Sequence, residues 1–366
     1  MKNTCNDNRV VLTLDAGGTN FVFNGIQGNK EILEPVQLPS EAHDLEKSLK
    51  NIVEGFSIVM DKLPDKPVAI SFAFPGPADY PRGIIGDLPN LKGYRGGVAL
   101  GPMLSEKFKL PVFINNDGDL FAYGEAIAGF LPSINEKLEK AGSVKRYKNL
   151  FGITLGTGFG AGMVSGGEMY IGDNAAAGEI WLLRNKKYPA AFVEESVSVR
   201  AIQQVYKDHS GTAENLSPKQ IYDIAKGKTK GDENAAKKAF TELGEIAGDA
   251  LANAITLFDG LIVVGGGLTG AKEFILPAMV NELNSSINTK TGEKVPRLSF
   301  KVYNLEDEYE VDAFLKGQQT NILVPGSRNE ITYDPEKRIG IGFSQLGASK
   351  AISLGAYAFA LNQLNR

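Results

Sequence analysis

Cysteine and histidine are scarce in this chain. Its 366 residues include one cysteine, Cys5, and two histidines, His43 and His209. A single cysteine excludes an intrachain disulfide and a zinc site built from cysteines. The histidines have no cysteine partners and no spacing typical of metal ligands, so we expect neither to bind a metal or to act in catalysis.

Long hydrophobic runs and excess positive charge are also missing. No segment approaches the roughly 20 apolar residues of a membrane helix, and the residues before Asp15 lack the apolar core of a signal peptide. The 39 basic and 43 acidic residues leave a net charge of −4. An acidic chain lacks the general attraction to a nucleic-acid backbone. We therefore expect a cytoplasmic protein with no membrane and no nucleic-acid partner.

Glycine, by contrast, is abundant, and two distant segments, residues 10–23 and 151–164, share a pattern that contains it. In each segment a short apolar run stops at Gly and Thr residues, and a second apolar run follows. Because glycine has no Cβ, such a turn can bring backbone N–H groups close to an anion. Two such turns facing each other would clamp a polyphosphate.

The remaining pattern alternates predicted strands and helices, which favours an α/β fold with mixed sheets. The pattern restarts at Phe151, so we predict two similar halves joined by a cleft. The first would cover residues 1–123, with a terminal helix at 348–366 packing back onto it, and the second residues 124–347. Residues 290–345 are interpreted as a β-rich insertion that could cover the cleft or form part of a dimer interface. A helix over 41–63 is predicted to have Ser40 as its N-cap.

Six short motifs occur in a characteristic order. They are DAGGTN at 15–20, PGP at 75–77, NNDGD at 115–119, LGTGFG at 155–160, GE at 178–179 and GGG at 265–267. In this order the chain resembles the ROK sugar kinases of the actin-like ATPase superfamily. The resemblance implies two actin-like, ribonuclease H-like α/β domains with a ligand cleft between them. It also implies ATP-dependent phosphorylation of a hexose at its 6-hydroxyl, and we expect a homodimer.

Phosphoryl transfer requires the phosphates to be held, their charge neutralised and the acceptor oxygen aligned. The resemblance makes Asp15 a ligand, direct or through water, of the Mg²⁺ that accompanies ATP. Where many relatives carry a basic residue, this chain has Asn20. The residues that match the family's phosphate and nucleotide contacts are Gly17, Gly18, Thr19, Asn20, Thr157, Gly158, Gly265, Gly266 and Gly267.

The acceptor side is expected at the NNDGD motif. The resemblance makes Asp117 the general base that accepts the proton of the sugar hydroxyl. On local pattern alone, an Asp at this place is more simply a helix N-cap. The residues that match sugar contacts are Asn90, Asn116, Asp117, Glu179 and Glu194. Glu195 is the alternative to Glu194, because the match to the family pattern in this segment does not fix which of the two neighbours corresponds.

The chain departs from the family where the family binds zinc. Leu182 stands in place of the family's histidine, and residues 185–192 contain no cysteine. No structural zinc is therefore expected, and one sugar contact near C1 and C2 is lost. Glucose or a glucose-like sugar is the expected substrate, with N-acetylhexosamine, mannose or fructose as alternatives.

The sequence disfavours two other classes of function. The family includes sugar-responsive repressors, but only nine residues precede Val10, too few for a helix-turn-helix. A non-sugar member, such as an actin-like ATPase or an acetate-type kinase, is disfavoured by the GE and PGP motifs. The sequence also lacks the Walker A pattern of P-loop NTPases and the GxGxxG pattern of dinucleotide-binding folds.

Overall fold

The computed structural model describes residues 4–88 and 91–366. The chain divides into two compact units. Unit 1 comprises Met1–Gly129, Gly162–Gly178 and Gln345–Arg366, and unit 2 comprises Phe130–Ala161 and Glu179–Ser344. This division differs from the predicted one at residues 124–129, which continue a unit 1 helix, at residues 162–178 and at residues 345–347.

The described residues form mixed strands and helices. The strands are β1 (Val11–Ala16), β2 (Asn20–Gln27), β3 (Lys30–Glu31), β4 (Val36–Pro39), β5 (Ala69–Ala73), β6 (Ala78–Asp79), β7 (Ile84–Ile85), β8 (Val112–Asn115), β9 (Leu150–Leu155), β10 (Phe159–Ser165), β11 (Glu168–Met169), β12 (Leu261–Gly265), β13 (Ser286–Asn288), β14 (Lys294–Pro296), β15 (Lys301–Asn304), β16 (Thr320–Leu323), β17 (Glu330–Tyr333) and β18 (Arg338–Phe343). The α-helices are α1 (Leu45–Lys62), α2 (Leu100–Phe108), α3 (Asp117–Ala128), α4 (Phe130–Lys140), α5 (Val199–Ser210), α6 (Pro218–Ala225), α7 (Glu233–Phe258), α8 (Lys272–Leu283), α9 (Glu308–Lys316) and α10 (Ala348–Leu364). Among the described residues, no helix has the length and hydropathy needed to cross a membrane.

Unit 1 is built around a mixed sheet in the order β3-β2-β1-β5-β8, with β4 also paired to β2. β1 and β2 are antiparallel, whereas β1, β5 and β8 run parallel. The parallel strands are buried apolar runs, as expected when both faces of a sheet are covered. On one face Phe56 of α1 packs edge-on to Phe23, with ring centroids 5.1 Å apart. On the other face Leu354 and Tyr357 of α10 pack against Val11, so the last helix lies on unit 1.

The start of α1 differs from the prediction. The N-cap is Asp44, whose carboxylate accepts from the Lys47 N–H at 3.1 Å. Ser40 does not cap the helix, because the intervening Glu41 has a left-handed φ of 49° and interrupts any earlier helical turn. The Ser40 hydroxyl instead donates to the Gly18 carbonyl at 2.7 Å.

Unit 2 contains four parallel strands in the order β9-β12-β18-β15. The predicted insertion at 290–345 is wrong in part, since β15 and β18 are strands of this central sheet. Their side chains Val302, Ile339 and Ile341 are buried, which places them in the core. Of the strands from Ser286 onward, β13–β14 and β16–β17 form separate two-stranded sheets.

Candidate active site

The parallel register of unit 1 brings three of the six motifs to one edge of its sheet. Asp15 at the end of β1 lies opposite Ala73 of β5, and Ala73 lies opposite Asn115 of β8. The loops that follow these strands carry the DAGGTN, PGP and NNDGD motifs. Open α/β sheets bind ligands outside the carboxyl ends of parallel strands. We therefore take this edge as the candidate site of unit 1.

The first glycine turn, residues 15–20, is held by backbone and hydroxyl contacts. The Gly17 N–H donates to the Asn20 carbonyl at 3.0 Å, and the Ser40 N–H donates to the Thr19 carbonyl at 2.9 Å. A Cβ on Gly17 would lie 2.9 Å from the Asn20 oxygen, whereas a Cβ on Gly18 would meet no atom within 4 Å. The protein's own packing thus does not require glycine at 18. Open space over bare backbone suits the approach of an anionic ligand.

Asn116, and not Asp117, caps α3. The Asn116 Oδ1 accepts from the Gly118 N–H at 2.8 Å, and its amide donates to the Tyr80 hydroxyl at 3.4 Å. That hydroxyl donates to the Phe74 carbonyl at 3.0 Å, which links Asn116 to the end of β5. Asp117 is the first helical residue, and its side chain is exposed. Its Oδ1 lies 2.9 Å from the same Gly118 N–H.

The two carboxylates of this edge both have raised pKa values. Loss of surrounding water raises the pKa of Asp117, the Gly118 N–H opposes that shift, and the charge of Asp15 raises the pKa further. Partial loss of water also raises the pKa of Asp15. Each side chain nevertheless keeps an exposed surface, so solvent reaches it on one side. The result is a pair of accessible but poorly hydrated carboxyl groups.

These groups fit a magnesium ion. Mg²⁺ prefers oxygen ligands and is commonly held by one or two carboxylates, with substrate phosphates and water completing its shell. Asp15 offers such oxygens beside the first glycine turn. Among the described residues, no three His, Cys, Asp or Glu side chains form a group able to hold a metal. Phosphate and water would therefore have to supply the other ligands.

In unit 2 the LGTGFG and GGG motifs also meet at strand ends. Thr154 of β9 lies opposite Gly265 of β12. In the second glycine turn, residues 155–160, the Gly156 N–H donates to the Gly158 carbonyl at 3.1 Å. Gly266 has a φ of 96°, and a Cβ there would clash with the Leu155 carbonyl. Glycine at 266 is therefore required by both its backbone conformation and its neighbour.

Glu194 and Glu195 have different environments, which the sequence did not separate. The Glu194 Oε2 accepts from the Phe159 N–H at 2.9 Å, so this carboxylate contacts the second glycine turn. Glu195 is half exposed and lies 3.5 Å from Arg200. Arg200 is also 3.7 Å from the Glu194 Oε1. No sequence periodicity indicated that the Glu194 carboxylate would reach a turn 35 residues earlier.

Glu179 lies at the start of a 3₁₀ helix, Ile180–Leu182. The Trp181 indole N–H donates to the Glu179 carboxylate, and the Trp181 ring packs edge-on to Phe192 at 5.6 Å. Leu182, which occupies the place of the family's histidine, is 56% exposed. Trp181 and Tyr80 were not predicted as site residues. Each lies within three residues of a predicted motif, and that proximity is the sequence signal that could have identified them.

Each unit thus gathers its own predicted residues. Unit 1 brings together Asp15, the first glycine turn, Asn116 and Asp117. Unit 2 brings the second glycine turn beside Gly265–Gly267 and Glu194. Asn90, predicted to contact the sugar, lies outside the described residues.

Comparisons with known proteins agree with the predicted fold and family. The model of the ROK family matches residues 11–308. The crystal structure of a glucokinase from Parabacteroides distasonis is 59% identical, with a TM-score of 0.91, and the match covers 99% of both chains.

More distant relatives include both enzymes and regulators. The N-acetyl-D-glucosamine kinase of Aliivibrio salmonicida is 27% identical over 277 residues, which cover 70% of this chain and 83% of that protein. The DNA-binding transcriptional dual regulator NagC of Escherichia coli is 28% identical over 258 residues, which cover 67% of this chain and 59% of that protein. The predicted α/β fold class and the predicted family are confirmed, and the chain belongs to the ROK family.

Proposed function

We propose that this protein is an ATP-dependent sugar kinase that phosphorylates the 6-hydroxyl of a hexose, with glucose as the preferred substrate. The observation that carries the proposal is the placement of Asp117 and Asp15 at one sheet edge beside the first glycine turn. The similarity to a glucokinase over nearly the whole chain supports glucose.

Asp117 is the proposed general base. As the sugar oxygen bonds to phosphorus, its proton becomes acidic, and a carboxylate can then accept it. Asn116 caps α3, and the Asp117 carboxylate, which accepts from the same Gly118 N–H through Oδ1, remains exposed. We propose that Asn116 and Glu179 hydrogen-bond sugar hydroxyls. Glu194 and Asn90 remain predicted sugar contacts.

The glycine-rich segments are proposed to hold the nucleotide. Gly17, Gly18 and Thr19 would offer N–H and hydroxyl donors to the terminal phosphates, and Thr157 and Gly158 would do so from the second glycine turn. Gly265–Gly267 would lie under the adenosine, and Asn20 would contribute an amide where many relatives have a cation. Asp15 would hold Mg²⁺, which neutralises phosphate charge when bound.

The first experiment is a sugar panel with purified protein, ATP and Mg²⁺, read by coupled release of ADP. We expect phosphorylation of glucose above mannose, fructose and N-acetylglucosamine. Product analysis should place the phosphate on the 6-oxygen. A folded protein that phosphorylates none of these sugars would refute the proposal.

The second experiment is Asp117→Asn. We expect kcat to fall by about 10²–10⁴-fold, because the general base is lost. The Kd for glucose should remain within a few-fold of the unmodified protein. Asp61→Asn, at an exposed position of α1 in the same unit, is the matched control and should leave kcat unchanged. Retention of most of kcat in Asp117→Asn would contradict the assigned role.

N-acetylglucosamine is the second candidate substrate. It is favoured by the similarity to N-acetyl-D-glucosamine kinases over 70% of the chain. The exposed Leu182 removes the family's histidine from the sugar side, so discrimination near C2 would depend on other residues. A kcat/KM for N-acetylglucosamine above that for glucose would establish this alternative.

A further inference from the structure

Glu194 contacts the second glycine turn through a hydrogen bond within unit 2. Its Oε2 lies 2.9 Å from the Phe159 nitrogen, and its side chain is only 23% exposed. On the other side of the turn, the Val199 N–H donates to the Gly156 carbonyl at 3.0 Å. Residues 194–199 therefore hold the turn at both of its ends.

Glu194 also packs on Gly158. A Cβ on Gly158 would lie 2.5 Å from the Glu194 Oε2 and 3.2 Å from its carboxyl carbon. The φ of Gly158 is outside the left-handed region, so its backbone alone would accept another residue. By contrast, a Cβ on Gly156 would meet nothing within 4 Å. A side chain at 158 would therefore have to displace the Glu194 carboxylate from its place beside the turn.

A carboxylate beside a proposed phosphate-binding turn needs an explanation, because its charge would repel the phosphate. The hydrogen bond from the Phe159 N–H to Glu194 supplies one. An ionised acceptor bonds a backbone N–H more strongly than a neutral acceptor does, and this bond is partly buried. The Phe159 N–H is thereby occupied, which leaves Thr157 and Gly158 at the outer part of the turn as the available donors.

We propose that Glu194 is a positioning residue for the phosphates of ATP. Its carboxylate fixes the backbone of the second glycine turn and directs phosphate to Thr157 and Gly158. This inference rests on the proposed kinase function, and it assigns Glu194 a task on the nucleotide side of the reaction.

Binding of Mg·ADP without sugar, measured by calorimetry, separates this task from the predicted sugar contact of Glu194. For Glu194→Ala we expect the Kd for Mg·ADP to rise about tenfold or more, as for loss of a charge-assisted hydrogen bond. Glu194→Gln keeps an acceptor oxygen and should recover part of the loss. Glu214→Ala removes an exposed carboxylate of the same unit and is the control, with the Kd unchanged. An unchanged Kd for Mg·ADP in Glu194→Ala would overturn the inference.

A double-mutant cycle tests the contact itself. Gly158→Ala should weaken binding of Mg·ADP, measured by calorimetry, about tenfold because its Cβ meets the carboxylate. In a Glu194→Ala background the same substitution should cost less than threefold, since the obstructing atoms are gone. Fully additive losses would refute the inference.

The calorimetric readout distinguishes failure of the inference from failure of the proposed function. If the unmodified protein phosphorylates glucose and Glu194→Ala binds Mg·ADP normally, the inference fails and the kinase assignment stands. If no sugar is phosphorylated but Mg·ADP binding still depends on Glu194, the assignment fails and the role of Glu194 in the turn stands. If Glu194→Ala changes neither the phosphorylation of glucose nor the binding of Mg·ADP, the inference is overturned.

Discussion

Asp117 carries an electrostatic property that predicts how activity should depend on pH. Loss of water and the nearby charge of Asp15 raise its pKa above the ordinary value for aspartate, about 3.9. A base must be ionised, so kcat/KM should fall as the pH drops through this raised value. We expect the acidic limb of the profile for glucose to be centred above the ordinary aspartate value. Fluorescence of Trp181, the single tryptophan, would verify that the protein stays folded. A limb at or below the ordinary aspartate value would contradict the assignment.

Gly266 is a position where an added Cβ atom should change the stability of the protein. Gly266→Ala would place a Cβ against the Leu155 carbonyl at a φ of 96°. We expect a loss of about 1–3 kcal/mol in the free energy of unfolding, because both the strained backbone and the clash disfavour alanine. Urea denaturation would measure it. Gly267→Ala is the matched control, since a Cβ there meets no atom within 4 Å, and it should change stability by less than about 0.5 kcal/mol.

At the scale of elements, α3 and α10 approach each other through a reciprocal pair of glycines. A Cβ on Gly124 would clash with the Ala351 carbonyl of α10, and a Cβ on Gly355 would clash with the Leu120 carbonyl of α3. Backbone cannot move aside as a flexible side chain can. The two glycines therefore set how closely these helices pack.

We predict that Gly124→Ala destabilises unit 1 by at least about 1–3 kcal/mol, despite the higher helix propensity of alanine. Thermal and urea unfolding would measure the change. Ser349→Ala, at an exposed site in the first turn of α10, should be nearly neutral. Unchanged stability in Gly124→Ala would show that the helices can separate at little cost.

At the scale of the whole molecule, paired carboxylates should determine the response to acid. The side chain of Arg9 lowers the pKa of Asp7 through a hydrogen bond at 2.7 Å. Burial alone would raise the pKa of Asp334, but the Arg338 guanidinium at 2.6 Å and the N–H groups of Gln318 and Glu336 together outweigh it and lower the pKa. A lowered pKa stabilises the folded state above the unfolded value, and that contribution is lost as the pH falls through the folded value.

We therefore expect the free energy of unfolding to be smaller at pH 3 than at pH 7, as measured in urea. Asp15 and Asp117 act in the opposite direction, because their raised pKa values disfavour the folded state at neutral pH. Asp334→Asn should reduce the difference between the free energies of unfolding at pH 3 and at pH 7. Greater stability at pH 3 would show that the carboxyl groups with raised pKa values dominate.

A homodimer and a cytoplasmic location stay predictions. Light scattering would measure the oligomeric state.

Several elements were predictable because their signals are local. The terminal helix predicted at 348–366 corresponds to α10, Ala348–Leu364. Hydrophobic periodicity and the glycine and proline residues that end strands depend only on near neighbours in the chain. The same locality explains the error at Ser40, where a suitable cap residue preceded a helical pattern but the backbone at Glu41 did not continue it.

Sequence order was sufficient to establish the α/β class, the family and the set of motifs, because those depend on residue types and their succession. It could not determine that Asn116 rather than Asp117 caps α3, or that β15 and β18 join the central sheet of unit 2. Nor did it indicate that Glu194 hydrogen-bonds the second glycine turn. Strand register and contacts between distant residues arise only when the chain has packed, since the free energy that selects them comes from burial and from hydrogen bonds between segments far apart in sequence.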